Sequence, residues 1–86
     1  MSTNLKRAAW AKACISLFAD MTGTENDEQS IGDLICNLGH YAQRRNLDFL
    51  QLVQTGIGHW HLEQIDPDSL DMLPTVTVSI NPHERH

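Results

Sequence analysis

The sequence lacks the patterns that most catalytic and membrane functions require. It contains no Gly-Lys-Ser/Thr phosphate loop, no Cys-x-x-Cys pair and no nucleophile elbow. No apolar run approaches the roughly 18–20 residues that span a bilayer, so we expect no membrane association. Six Lys and Arg face eleven Asp and Glu, for a net charge of −5. Because phosphate binding needs clustered basic side chains, this balance predicts no direct contact with nucleic acid.

Cysteine is also scarce, and Cys14 and Cys36 are the two present. Both fall on apolar faces of predicted helices, where an unpaired cysteine usually behaves as a small core residue. We therefore expect buried thiols, with a disulfide between helices or a metal site as the alternative. The N-terminus lacks the basic, apolar and small-residue order of a signal peptide, which predicts a cytoplasmic protein.

What is present indicates a small, mainly α domain. A chain of 86 residues has room for one core, and its 41% hydrophobic content is typical of globular proteins. We predict a single domain over 1–86, built as a three-helix bundle with a short helix-turn-helix hairpin. The helices are expected at about 4–21, 28–45 and 48–64, followed by an extended or β segment at about 74–81.

The hairpin between the second and third helices has the strongest local signals. Asn46 can adopt the left-handed conformation that ends a helix. Asp48 is a good N-cap, and Gln51 stands at the position of its capping-box partner. Leu47 and Leu52 occupy the two positions of a hydrophobic staple. Upstream, Gly23 is expected to end the first helix, and Thr24 or Asp27 to cap the second.

Apolar residues at helical spacing predict which faces form the core. The predicted core positions of the three helices are, in order, Trp10, Cys14, Leu17, Phe18 and Met21; Ile31, Leu34, Ile35, Leu38 and Ala42; and Phe49, Leu52, Val53, Gly56, Ile57 and Trp60. Glycines inside the second and third helices indicate a close helix crossing or an irregular turn.

The segment Thr75–Ile80 alternates polar and β-branched apolar residues, a pattern typical of a half-buried strand. A single strand in a helical chain must satisfy its backbone groups with water, with another chain, or by lying as an extended arm across its own bundle. We expect either pairing with another chain or an arm that packs Val76, Val78 and Ile80 on the bundle. If the segment pairs with another chain, Thr75, Val76, Val78 and Ile80 are the interaction residues; His61, predicted to face solvent on the third helix, belongs to the same candidate set.

Polar residues in the hairpin suggest two further features. Tight closure at Asn46 would bring Asp33 level with His59, which predicts a polar pair across the two helices. Cys36 and His40 share one helix face at i, i+4, so Cys36, His40 and His59 form a speculative metal set. The hairpin register does not place these groups at one level, and our prediction is therefore no metal and no cofactor.

Residues 28–64 resemble the helix-turn-helix half of MazG-type all-α nucleotide pyrophosphohydrolases. In that family a helix with acidic magnesium ligands leads through a short turn into a helix with an aspartate-aromatic start, here Asp48-Phe49. The resemblance implies divalent-metal-dependent hydrolysis in which Asp33 matches the aspartate that closes the motif. The chain departs from the family pattern in two places. It has Gln29 and Ser30 where members of the family have glutamates, and its first helix contains no Glu-x-x-Glu.

The pattern Asp-Leu…His-Tyr-Ala…Leu-Asp-Phe…His-Trp…Glu is also similar to small uncharacterised bacterial, phage and plasmid proteins, which implies a helical fold and a mobile-element context. From all of these features we predict a non-enzymatic protein–protein interaction module. We expect a small acidic regulator or inhibitor of phage or mobile-element type, which binds a protein target or a second copy of itself. The alternative is a metal-dependent nucleotide hydrolase that uses Asp33 and neighbouring acids.

Overall fold

The computed structural model describes residues 3–82 of the chain. This part contains three helices, α1 (Thr3–Thr22), α2 (Asp27–Arg44) and α3 (Phe49–Ile65), and no strand. The mainly α prediction is confirmed, and each helix begins and ends within about two residues of its expected bounds. None of the helices in residues 3–82 is both long and apolar enough to cross a membrane.

Short polar contacts define the break between α1 and α2. Gly23 has a φ of +73° and donates its backbone N–H to the Ala19 carbonyl at 2.8 Å, so it ends α1 as predicted. The N-cap of α2 is Asn26, whose side-chain oxygen accepts from the Gln29 N–H at 2.8 Å. The predicted caps Thr24 and Asp27 were therefore wrong. Thr24 instead bonds the Ser30 hydroxyl, and Asp27 lies one position inside the helix.

The turn between α2 and α3 closes as a Schellman motif. Asn46 has a φ of +58°, and its N–H donates to the Gln43 carbonyl at 3.1 Å, while the Leu47 N–H donates to Ala42 at 2.9 Å. Asp48 caps α3 and accepts from the Gln51 N–H at 3.1 Å. The Gln51 side chain donates to the Thr55 hydroxyl at 3.4 Å, so the reciprocal half of the predicted capping box is absent.

Asp48→Ala is expected to lower the free energy of unfolding by about 1 kcal/mol, because the first turn of α3 then loses a side-chain acceptor. Chemical denaturation at a fixed protein concentration measures this loss. Asp48→Asn keeps an acceptor oxygen and should recover most of the stability. Asp71→Ala removes a comparable exposed carboxylate outside the helices and serves as the control. Equal losses for Asp48→Ala and Asp71→Ala would contradict the capping role.

Helix α1 lies across the open end of the α2–α3 hairpin. Near its start, the Asn4 side-chain amide donates to the Glu63 carbonyl at 2.8 Å, and Arg7 pairs with the Glu63 carboxylate at 3.4 Å. Just beyond its end, the Thr24 and Ser30 hydroxyls lie 2.7 Å apart, which ties the α1–α2 turn to α2. These contacts place the start of α1 beside α3 and its end beside α2, so α1 covers only part of each helix.

The core is much smaller than the apolar pattern predicts. Phe18 and Ala42 are the buried hydrophobic side chains among residues 3–82, together with the buried Ser30 and Gly58. Leu34, Phe49 and Val53 are half-buried. The other predicted core positions are exposed, a correction that applies to Trp10, Cys14, Leu17, Met21, Ile31, Ile35, Leu38, Leu52, Gly56, Ile57 and Trp60. In α1 and α3 other buried or half-buried positions, such as Ile15 and Gly58, lie on a different face of the helix from the predicted one.

Two glycines mark close approaches within the fold. A Cβ added to Gly39 would lie 3.1 Å from the Phe49 ring, so α2 and α3 cross closely near their turn. A Cβ on Gly58 would lie 3.5 Å from Leu73 and 3.6 Å from Pro74. The segment after α3 therefore folds back onto this face of the helix. Gly32 and Gly56 face open space, and the close packing expected of glycine holds only at Gly39 and Gly58.

Candidate interaction surface

The chain leaves α3 through a turn that contacts α1. The Asp66 carbonyl accepts from the Ser69 N–H at 3.0 Å, and its carboxylate accepts from the Asp68 N–H at 3.0 Å. Arg7 donates to the Pro67 carbonyl at 3.1 Å, which links this turn to the start of α1. The Ser69 hydroxyl accepts from the Asp71 N–H at 3.2 Å. The direction of the following segment is set by this turn rather than by a continuing helix.

Beyond the turn the chain runs back along the hairpin. Leu73 and Pro74 lie against Gly58, and Val76 borders a cavity with Gln51 and Thr55. Further on, Ile80 borders a cavity that Cys36, Gly39, His40 and Leu50 also line. Contacts therefore move from the C-terminal half of α3 towards its start, and the segment runs antiparallel to α3. This is the arm arrangement that the sequence left open.

Side-chain exposure in this segment follows the predicted period of two. Val76 and Val78 are half-buried, whereas Thr75, Thr77 and Ser79 are exposed. Ile80 departs from the pattern and is 73% exposed. No strand forms within residues 3–82, because no second strand exists there to complete a ladder. Pairing of this segment with another chain stays a prediction.

The backbone of residues 72–82 makes no hydrogen bond to any other described residue of the chain. Each of these residues except proline carries one donor and one acceptor, which must be satisfied by water or by another molecule. Two large side chains near the start of the segment also lack cover, since Leu70 is 98% exposed and Met72 is 93% exposed. The segment thus presents both free backbone groups and apolar side chains.

A mainly apolar groove of about 410 Å³ lies beside the α2–α3 turn. It is the feature that sequence reasoning missed, because most of the residues that line it were expected to close on one another as core. The residues that line it are Leu38, Tyr41, Ala42, Leu47, Phe49, Leu52 and Val53.

The predicted polar pair does not form. Among residues 3–82, Asp33 and His59 are joined by neither a hydrogen bond nor an ion pair, and both side chains are exposed. The close crossing at Gly39 and Phe49 lies near the turn, whereas Asp33 and His59 lie towards the open end of the hairpin. His61 faces solvent, as expected from its position beside Trp60, but Trp60 is itself 57% exposed and borders a cavity between α1 and α3.

Metal-ligating side chains are dispersed in the described part of the chain. No three His, Cys, Asp or Glu residues in 3–82 lie close enough to hold one metal ion. Cys36 and His40 border one cavity, but His59 is not among the residues that line it. Both cysteines are unpaired and exposed, so the expectation of buried thiols was wrong. Their helices contact the rest of the chain through other faces.

The contacts of Arg7 had no local signal in the sequence. Arg7 bonds the Asn4 side chain at 2.8 Å as well as Glu63 and Pro67, and together these contacts hold the start of α1 against the end of α3. An arginine on a helix surface is ordinarily solvated, and two of its partners here, Glu63 and Pro67, lie some sixty residues away in the chain. Comparison with protein-family models, with curated proteins and with solved structures finds no match for this chain.

Proposed function

We propose that this chain is a non-enzymatic protein-binding module that docks a target through its C-terminal segment, residues 70–82. The activity that follows is that of a small acidic regulator or inhibitor, for which the sequence resemblance suggests a phage or mobile-element setting. A cytoplasmic location belongs to the same proposal. The observation that carries it is the run of backbone groups over 72–82 without partners in the described chain.

Backbone groups of this kind suit recognition by strand addition. An extended segment that joins the edge of a target's sheet gains a ladder of backbone hydrogen bonds, while alternate side chains enter pockets. Here Thr75, Thr77 and Ser79 point away from the chain's own helices, and Val76 and Val78 point towards them. A target strand beside the segment would complete its backbone bonds without requiring any change in α1, α2 or α3.

Charge favours a basic target. The turn that leads into the segment carries Asp66, Asp68 and Asp71, all exposed, and the whole chain has a net charge of −5. Complementary charge at an interface raises the association rate and selects among partners. We therefore expect binding to weaken as salt is raised, because screening acts on exposed charges.

Proline substitution in the segment tests the proposal. Neighbouring N–H groups of an extended chain point to opposite edges, so Thr77→Pro and Val78→Pro remove one donor from each edge. At least one of them should weaken capture of a target from bacterial extract by roughly tenfold, the equivalent of about one backbone hydrogen bond. Binding of the purified target, measured by calorimetry, gives the number. Thr77→Ser keeps the donor and is the matched control.

Two results would contradict docking through residues 70–82. If no protein is retained, or if both proline variants retain the same protein as Thr77→Ser does, the segment is not the docking element. A parallel incubation with nucleoside triphosphates and Mg²⁺ or Mn²⁺ addresses the predicted hydrolase. Divalent-dependent turnover that is lost in Asp33→Ala would replace the binding proposal with that activity.

A further inference from the structure

Helix α1 carries an apolar stripe that nothing in the described chain covers. Its members are spaced i, i+4, i+7 and i+11, which places them on one face of the helix. The same 4-3-4 spacing is typical of helices that pack along a seam against another helix. All four side chains are exposed, and none is charged. We call this set the α1 stripe: Trp10, Cys14, Leu17 and Met21.

Helix α2 repeats the arrangement with Ile31, Ile35 and Leu38, again at i, i+4 and i+7 and again exposed. Leu38 also borders the apolar groove at the hairpin turn, where it is joined by Leu47 and Leu52. These five residues are named here the hairpin face. Like the α1 stripe, this face contains no charged side chain. A monomer therefore exposes two uncharged apolar surfaces in water.

The solvent-accessible surface area of the chain shows how much more surface it exposes than a compact monomer of the same mass. It is 7536 Å² for a mass of 9.7 kDa, whereas a folded monomer of that mass exposes about 5,100 Å². The radius of gyration is 15.3 Å, against about 12 Å for a compact chain of this length. The excess surface is therefore roughly 2,400 Å². Exposed apolar side chains of the helical faces and of residues 70–82 both contribute to this excess.

We propose that a second copy of this chain covers the α1 stripe and the hairpin face in an obligate dimer. Stable obligate dimers bury on the order of 1,000–2,500 Å² per chain, and the exposed helical faces contribute to an excess of comparable size. A two-fold dimer brings the same surfaces from both chains, so one arrangement covers both copies. A core that consists of Phe18 and Ala42 is too small to hold three helices together, and folding would then be coupled to association.

The exposed apolar area, rather than charge, favours a second copy as the occupant. The residues of the α1 stripe and the hairpin face are uncharged, so each surface complements an equally apolar one, and charged side chains such as Lys6 and Asp27 lie at the ends of the two faces. Two copies carry twice the net charge of −5. Screening of this repulsion should make the dimer tighter at higher salt, which is the opposite of the salt effect expected for target binding.

Mass and thiol reactivity of the full chain test the dimer directly. Size-exclusion chromatography with light scattering, at protein concentrations from about 1 to about 100 µM, should give a mass of twice the 9.7 kDa of one chain. The midpoint of thermal unfolding should rise with protein concentration.

Cys14 belongs to the α1 stripe, whereas Cys36 lies more than a quarter turn of α2 away from Ile35. In a dimer, Ellman's reagent should modify Cys14 at least tenfold more slowly than Cys36, although both are exposed in one chain.

Two glutamate substitutions with matched controls extend the test. Leu17→Glu in the α1 stripe and Ile35→Glu in the hairpin face should each abolish the dimer and lower the thermal midpoint. Ser16→Glu and Asn37→Glu add the same charge to exposed positions on other faces of the same helices and should leave the mass unchanged. If the glutamate variants fail to fold, the measurements on the unmodified chain still decide the question.

Three results would contradict the proposed dimer. A mass of one chain throughout the concentration range, an assembly of more than two copies, or equal modification rates for Cys14 and Cys36 would overturn the proposal. This inference uses no residue of 70–82 and stands independently of the proposed target binding. Thr77→Pro should leave the dimer intact, and Leu17→Glu leaves the segment unchanged, so failure of either proposal can be recognised separately.

Discussion

Replacing Phe18 with alanine is expected to lower the free energy of unfolding by about 3–5 kcal/mol, the usual loss when a buried aromatic is truncated. Phe18 is the only large hydrophobic side chain among residues 3–82 that is buried, with 7% of its surface exposed. A loss of this size is a large fraction of the stability of a small domain. Circular dichroism at 222 nm during urea titration should show a chain largely unfolded without denaturant.

The control for Phe18→Ala is Leu70→Ala, which truncates a large apolar side chain that is 98% exposed. This variant should remain within about 0.5 kcal/mol of the unmodified chain. Protein concentration must be equal in all samples, because association contributes to the apparent stability. If both variants lose the same free energy, the contact between the end of α1 and the hairpin does not hold the fold together.

Ser30→Ala is expected to cost about 1–3 kcal/mol, a large effect for the loss of one oxygen. Ser30 is 1% exposed, and its hydroxyl lies 2.7 Å from the Thr24 hydroxyl. The Thr24 hydroxyl in turn lies 3.2 Å from the Thr22 hydroxyl. The Thr22 hydroxyl donates to the Phe18 carbonyl at 2.8 Å. This chain of hydroxyls joins the end of α1 to the first turn of α2. Removal of its buried member leaves Thr24 with a weaker set of partners, and thermal or urea unfolding measures the cost.

Ser16→Ala gives the matched comparison, because Ser16 is also a helical serine but is exposed. It loses no buried hydrogen bond and gains slightly in helix propensity, so its stability should stay equal or rise by a few tenths of a kcal/mol. The difference between the two variants isolates the buried hydroxyl from the change in propensity. A Ser30→Ala variant as stable as Ser16→Ala would show that the hydroxyl chain contributes nothing to the fold.

Local chemistry made the helix ends predictable. Gly23 and Asn46 adopt the left-handed conformations expected of helix terminators, and Asp48 caps α3 as its position before an apolar run indicates. These features depend on neighbours within about five residues, for which the sequence holds the full information. The cap of α2 was misplaced by one or two positions because Thr24, Asn26 and Asp27 are all capable caps. Tertiary contact with Ser30 engaged Thr24 and left Asn26 to cap the helix.

Burial was predicted less well than helix location. The spacing of apolar residues placed Leu34 and Ala42 of α2 on a covered face, but in α1 and α3 covered positions such as Ile15 and Gly58 lie on other faces than the predicted ones. A periodic pattern states only that a face avoids water, and it does not state what covers that face. Trp60 and Leu38 were expected in the core of one chain and are about half exposed. Such a pattern fits equally a residue buried within one chain and a residue buried between two. The sequence of one copy cannot separate these cases.

In the C-terminal segment, the sequence predicted the direction of most side chains but not the pairing of the backbone. The period-two pattern predicted which side chains point outwards over residues 75–79, where Thr75 and Thr77 are exposed and Val76 and Val78 are half-buried, but it failed at the exposed Ile80. Whether the segment paired as a strand depended on a partner strand, which the rest of residues 3–82 does not supply. The apparent match between Asp33 and His59 failed for a related reason, since it assumed that the two helices stay close along their full length.

The sequence by itself determined the three helices, the terminators Gly23 and Asn46, and the N-cap of α3, because each follows from residues within one or two turns of one another. Only the tertiary structure decided that α1 lies across the open end of the hairpin, through contacts of Asn4 and Arg7 with Glu63 some sixty residues away. That crossing leaves the α1 stripe and the hairpin face without cover. The physical reason is that helix packing depends on long-range contacts whose partners no local pattern specifies.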